Sequence, residues 1–154
     1  MVLRPATPEE LAAAEAIIDD WLAGELESND AIVDVTRDES IARRWYVRLV
    51  GEERDFTTIW MTLGQRTLKY ESYVMPAPEE NAADLYEFLL RLNHRLVGAQ
   101  FGIGSEDAIF LTGELQLTAL NVDELDRIVG TIFEYVEQYF RPALRIGFAS
   151  RFED

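Results

Sequence analysis

Cysteine is absent from the 154 residues, which removes disulfide scaffolding, thiol nucleophiles, thiolate zinc sites and iron–sulfur clusters together. Histidine occurs once, at His94, so a His-pair metal site or a Ser-His-acid triad has at most one imidazole to draw on. Lysine also occurs once, as Lys69, and every other basic side chain is an arginine. No apolar run approaches the roughly 20 residues that cross a bilayer. Met1 to Pro8 lacks the apolar stretch of a secretory signal, so a cytoplasmic location is the expectation. Positive charge is scarce: 14 Lys and Arg face 29 Asp and Glu, for a net charge of -15. A field of that sign repels phosphate backbones and anionic surfaces, so neither nucleic acid nor a membrane is an expected partner.

What is present suits one folded domain over residues 1–154, with its core at about 7–148. Hydrophobic residues make up 48% and aromatics 11%, enough to bury a core without metals or disulfides and too much for a disordered chain. The charge is uneven. Met1 to Ala42 holds 11 acids and 2 arginines, Arg43 to Tyr73 holds 4 acids and 6 bases, and Val74 to Asp154 holds 14 acids and 6 arginines. The parts that read as helix are acidic and the strand-rich middle is near neutral.

Thr7-Pro8-Glu9-Glu10 reads as a capping box with proline at the first helical position. Leu11, Ala14, Ile18, Trp21 and Leu22 follow on one helical face until Ser28-Asn29-Asp30. About four strands come next, at Ala31–Thr36, Arg44–Val50, Phe56–Leu63 and Thr67–Met75. Each alternates with a period of two, and the connectors Gly51–Arg54 and Gly64–Arg66 are of hairpin length. Pro76 and Pro78 end the last strand, and the spacing predicts a central helix from about Glu79 to Leu96. Leu85, Phe88, Leu89, Leu92 and Leu96 form one stripe on it, and Tyr86, Leu90 and Val97 form a second on the adjoining flank. That second stripe is covered either by the sheet and a neighbouring helix or by a partner chain. Gly98 stops the helix, and Ala99–Ile103 pairs with Ala108–Leu115 across Gly104–Asp107. Gly102-Ile103-Gly104 lies in this hairpin and opens no helix, so it is a turn rather than a dinucleotide fingerprint. Asn121 caps the final helix, whose apolar face runs from Leu125 to Phe140 until Pro142 stops it. The fold class is therefore α+β: an antiparallel sheet, built as a meander of about four strands plus a hairpin, with N-terminal, central and C-terminal helices in the order α-β-β-β-β-α-β-β-α.

Three phrases in this order, Tyr73-Val74-Met75-Pro76-Ala77-Pro78-Glu79-Glu80-Asn81, Leu89-Leu90-Arg91-Leu92-Asn93 and Asp123-Glu124-Leu125-Asp126 followed by Gly130, resemble the YbjN family of bacterial sensory transduction regulators, in its actinobacterial form. The resemblance runs from about Leu11 to Phe148. It implies a fold like that of the type III secretion chaperones and a small acidic homodimer that binds other proteins. It implies no catalytic residue and no cofactor.

The residues themselves point the same way. His94 reads as a helix-end side chain rather than a general base. The acidic pairs Asp19-Asp20, Glu52-Glu53 and Glu79-Glu80 point in different directions and read as solvated faces and caps, with a weak divalent cation site as the alternative. Aromatics surplus to one sheet face, together with the second stripe of the central helix, suggest a protein-binding surface drawn from Trp45, Trp60, Tyr70, Tyr73, Tyr86 and Leu90. The leading expectation is a non-enzymatic binding module, a homodimer that receives a polypeptide client of unknown identity. A small-ligand sensor with a pocket between sheet and helices is the alternative, and a carboxylate-dependent enzyme comes third.

Overall fold

Thr7 opens the first helix as expected. Its hydroxyl accepts the Glu10 N–H at 3.2 Å and Glu10 Oε1 accepts the Thr7 N–H at 3.1 Å, which satisfies two amides that the helix start leaves unpaired. Arg4 donates to both Glu10 oxygens, at 2.8 and 3.0 Å, and this pairing, with the Thr7 N–H, holds the carboxyl down to about 2. The helix, α1 (Pro8–Ser28), begins the computed structural model, which describes residues Leu3 to Phe152. Four strands follow, β1 (Ile32–Arg37), β2 (Arg44–Val50), β3 (Phe56–Leu63) and β4 (Thr67–Met75). After α2 (Ala82–Asn93) come β5 (Gln100–Ile103), β6 (Ile109–Gln116) and α3 (Val122–Gly147). The six strands form one sheet in the order β1-β2-β3-β4-β6-β5, antiparallel throughout.

The register explains which side of the sheet is buried. Trp45, Met61, Tyr70 and Gly113 stand opposite one another across four strands, and Val47, Ile59, Ser72, Leu111 and Phe101 make the next row on the same face. Alternation with a period of two puts all of these side chains on one side, and α1, α2 and α3 all pack there. Two polar contacts fix this layer. Trp45 donates its indole N–H to Asp19 of α1 at 2.7 Å, and Tyr70 donates its hydroxyl to the Gly98 carbonyl at 2.6 Å. The Tyr70 ring lies across Gly113, where a Cβ would come within 2.4 Å of it, so only glycine leaves the strand room for that ring.

Two of the helix boundaries that differ from the sequence reading share a cause. The central helix starts at Ala82 rather than Glu79, and the last helix runs through Pro142 to Gly147 rather than stopping before it. Residues 79–81 cap the far end of α3 instead of forming the first turn of α2. The Glu79 and Glu80 amides donate to the Gly147 carbonyl at 2.9 and 3.1 Å, and Asn81 donates its side-chain amide to the Ile146 carbonyl at 3.0 Å. Asn81 adopts a left-handed conformation (φ 54°), which asparagine tolerates better than most residues. Carbonyls at the end of α3 thereby gain donors, and Ala143, Gly147 and Phe148 are buried. That packing outweighs the hydrogen bond that Pro142 cannot donate to Gln138. At its other end the central helix stops at Asn93 rather than Leu96, because Asn93 turns its side chain to the sheet.

Two outcomes follow from these end contacts. Pro142→Ala restores one helical N–H, and it is expected to stabilise the fold by about 1–2 kcal/mol after allowing for the looser unfolded chain, raising Tm by several degrees; a lower Tm on differential scanning calorimetry would show that the proline ring has a packing role. The depressed Glu10 carboxyl contributes stability that is complete above its unfolded value of about 4.5 and is lost as pH falls toward 2. In a series of melts between pH 6 and 2, Glu10→Gln should therefore show a shallower acid decline than the parent chain.

Candidate protein interface

Covering one side of the sheet leaves the other side open, and the register shows what stands on it. One row holds Thr36, Tyr46, Trp60, Glu71, Thr112 and Gln100. The next has Asp34, Arg48 and Thr58 on the first three strands and Tyr73, Phe110 and Gly102 on the last three. Phe56 lies opposite Val50, and Arg44, Thr62, Lys69 and Glu114 form a further row. Five aromatics thus share a face that no helix covers.

They are held in fixed positions. Phe110 meets Trp60 edge-on with ring centroids 6.1 Å apart and Tyr73 edge-on at 5.6 Å. Its ring also lies against Gly104, where a Cβ would come within 2.5 Å of it. Trp60 donates its indole N–H to Glu71 at 2.9 Å. Tyr46 donates its hydroxyl to Asp38, and that bond raises the phenol above its ordinary value while lowering the carboxyl below its own. The Arg48 guanidinium lies 3.9 Å from the centre of the Phe56 ring. Arg54, in the β2–β3 turn, donates to the Tyr73 carbonyl at 2.7 Å and stacks between Tyr73 and Phe140 of α3; partial burial there pushes its guanidinium below the usual value.

A second uncovered surface lies at the β5 border. Leu90 of α2 is 68% exposed and Val97 beyond it 72%, and the exposed Ile103 of β5 stands nearby. Tyr86, Leu89, Leu90, Asn93, Phe101 and Ile103 line an apolar depression of about 350 Å³ between this helix and the strand. Asn93 sits at its floor, accepting the Phe101 N–H at 2.8 Å and donating to the Phe101 carbonyl at 3.0 Å. A side-chain amide thus occupies the free edge of β5 as a neighbouring strand would.

The six residues expected at a binding surface therefore divide into three groups. Trp60 and Tyr73 stand together on the outer face of the sheet, and Tyr86 and Leu90 belong to the α2–β5 flank. Trp45 and Tyr70, at 1% and 2% exposure, belong to the core; a period of two tells which side chains share a face but not which face turns inward. Phe110, Phe56 and Arg48 were missed, although the alternation of Ile109 and Leu111 around Phe110 was a readable sign that this ring points outward. His94 is exposed at the end of α2. The layer between sheet and helices, where the sensor alternative places a pocket, is filled by side chains such as Trp45, Tyr70, Ile18 and Ile132. The larger depressions lie at its rims, one of about 860 Å³ between the β2–β3 turn and α3 and one of about 640 Å³ beside α1.

Residues 19–145 match the family described as "Putative bacterial sensory transduction regulator", YbjN. The chain belongs to the YbjN family. Uncharacterised proteins of Mycobacterium tuberculosis (strain H37Rv) and Mycobacterium bovis are each 36% identical to it over 104 residues, which is 68% of this chain and 57% of theirs. An uncharacterised protein of Mycobacterium leprae is 35% identical over 107 residues, 70% of this chain and 58% of the relative. The YbjN chain thus spans somewhat more than half the length of these curated relatives. Among solved structures, its fold is similar to chains from three complexes. One is the heterodimeric ExoU-SpcU complex of the Pseudomonas aeruginosa type III secretion system, with TM-score 0.54, 19% identity, and coverage of 82% of this chain and 96% of the other. Another is the ExsC-ExsE complex, with TM-score 0.57, 16% identity and coverage of 82% and 93%. The third is the HopA1-SchA chaperone-effector complex, with TM-score 0.60, 14% identity and coverage of 89% and 99%. At these identities the likeness is one of fold, and it agrees with the secretion-chaperone architecture that the sequence phrases imply. No helix among the described residues is long and apolar enough to cross a membrane.

The placement of the two tryptophans can be checked by urea denaturation. Trp45→Ala empties a core site and breaks the bond to Asp19, so it should cost about 3–5 kcal/mol. Trp60→Ala, on the outer face, should cost about 1 kcal/mol or less. Equal losses would contradict the assignment of faces.

Proposed function

We propose that this YbjN chain is a non-catalytic, chaperone-like protein-binding module that works as a homodimer joined through α2 and β5, with the outer sheet face left for a client polypeptide. The observation that carries the reading is the set of five aromatics on a face that no helix covers, three of them packed edge-on and the other two held by Asp38 and Arg48. Monomeric soluble chains rarely leave such a contiguous patch without a partner, and Trp and Tyr are the side chains that most often anchor interfaces. The three matched structures support it, since each is a complex of two proteins and one is a chaperone with its effector.

The α2–β5 flank supports the dimer. Leu90 and Ile103 offer exposed apolar side chains at the depression, and Glu87 and Arg91 flank Leu90 on the same helix, paired with each other at 3.4 Å. An antiparallel two-fold packing of α2 on α2 brings Glu87 of one copy near Arg91 of the other while burying Leu90 against Leu90, the self-complementary arrangement that an isologous interface needs. In sedimentation equilibrium at micromolar concentration the chain should weigh twice its 17.6 kDa. Leu90→Glu should give the single mass with an unchanged circular dichroism spectrum, and a parent chain that stays monomeric would remove the dimer from this reading.

A further inference from the structure

On the client-binding reading above, we infer that the outer sheet face takes a polypeptide segment in which carboxylates stand next to aromatic or branched apolar side chains. The argument begins with where the chain leaves its cations. Carboxylates outnumber Lys and Arg 29 to 14, so a basic side chain has acids within reach over most of the surface. Arg4, Arg37, Arg43, Arg91, Arg127, Arg141 and Arg151 all have a carboxylate within 4 Å. Seven bases form no such pair among the described residues: Arg44, Arg48 and Lys69 on the outer face, Arg54 at its end, and Arg66, Arg95 and Arg145 elsewhere.

The cations of the outer face are held by other means and stay available. Arg44 donates to the Thr62 hydroxyl at 2.8 Å, Arg48 lies on the Phe56 ring, and Arg54 is braced by the Tyr73 carbonyl and two rings. Four acids stand on the face or at its edge, and three of them are engaged with neutral donors: Asp38 accepts from the Tyr46 hydroxyl, Glu71 from Trp60 and Glu114 from the Thr67 hydroxyl at 3.1 Å. The fourth, Asp34, stands in register with Arg48 without closing on it. Lost rotamer freedom is a large part of the cost of binding, and guanidiniums already seated on aromatic rings have less of it to lose. Arginine forks suit carboxylates, and a segment with neutral or basic polar groups would leave them unmatched.

The apolar half of the recognition comes from the rings between these cations. Trp60, Phe110 and Tyr73 form one continuous edge-packed surface, and beside them Gly102, opposite Phe110, has open space where a side chain would otherwise stand. An aromatic or branched side chain of the client fits against that surface while neighbouring carboxylates reach Arg48 and Lys69. A basic segment, by contrast, is drawn to the acidic helical side, so charge separates the two sides of the molecule.

The test is to pan a library of random peptides of about twelve residues against the full chain and to measure the enriched peptides by isothermal titration calorimetry. Enriched peptides should carry Asp or Glu within a few positions of Phe, Trp, Tyr or Leu. Their affinity should fall about tenfold or more on the paired change Arg48→Glu and Lys69→Glu, and again on Trp60→Ala. Both changes are on the solvent side of the sheet, and unchanged circular dichroism and Tm would confirm that the fold is kept. Enriched peptides without acids, or peptides that ignore these substitutions, would overturn the acidic-client inference while leaving the protein-binding reading in place. A library that yields no binder would remove both.

Discussion

A six-stranded antiparallel sheet packed by helices on one face has to settle what its other face meets, and most features of this protein follow from that. Because neighbouring side chains alternate, each strand residue commits either to the helical layer or to the outside, and the register propagates the choice across all six strands. Inside, the choice is enforced by tight contacts: Trp45 tied to α1 through Asp19, and Tyr70 laid across Gly113 to reach Gly98. Outside, an antiparallel sheet facing water commonly shows polar side chains. Here it shows Trp60, Phe110 and Tyr73 packed edge-on, with Tyr46 held by Asp38 and Phe56 under Arg48.

Charge is distributed with the same division. The ion pairs lie mostly on the helices and at their ends, as in Arg37 with Glu15 and Asp19, or Arg127 with Glu124. Such exposed pairs contribute about 0–1 kcal/mol each, so stability rests on the buried layer and the surface charge is free to serve other ends. The net charge of -15 slows the approach of any acidic molecule at a distance, and salt screens it beyond a Debye length of about 8 Å.

Much of the architecture was legible from local pattern. The bounds of β2, β3 and β4 and the cap of α1 follow from alternation, hairpin-length connectors and Thr7-Pro8-Glu9-Glu10, all of which are rules about near neighbours. The misreadings came where distant residues decide. Glu79 and Glu80 look like the acidic first turn of a helix, yet their amides cap α3, and their carboxylates engage Arg151 and Ser150. Pro142 looks like a stop, yet burial of Ala143, Gly147 and Phe148 carries the helix past it. The exposed aromatic surfaces were half legible: aromatic surplus and the Tyr86–Leu90 stripe could be counted, but the assignment of Trp45 and Tyr70 to the interior needed the helices in place.

The Asn93 amide at the border of the sheet decides how copies of this protein can add to one another. It occupies the outward N–H and carbonyl of Phe101 on β5, and at the opposite border the pairing of β1 with β2 shifts between Ile32 and Asp34. Neither border is a long, flat row of vacant amides of the kind that recruits strand after strand. Growth by backbone pairing is thereby discouraged at both ends. Both borders thus work against open-ended strand addition of the kind that builds fibres.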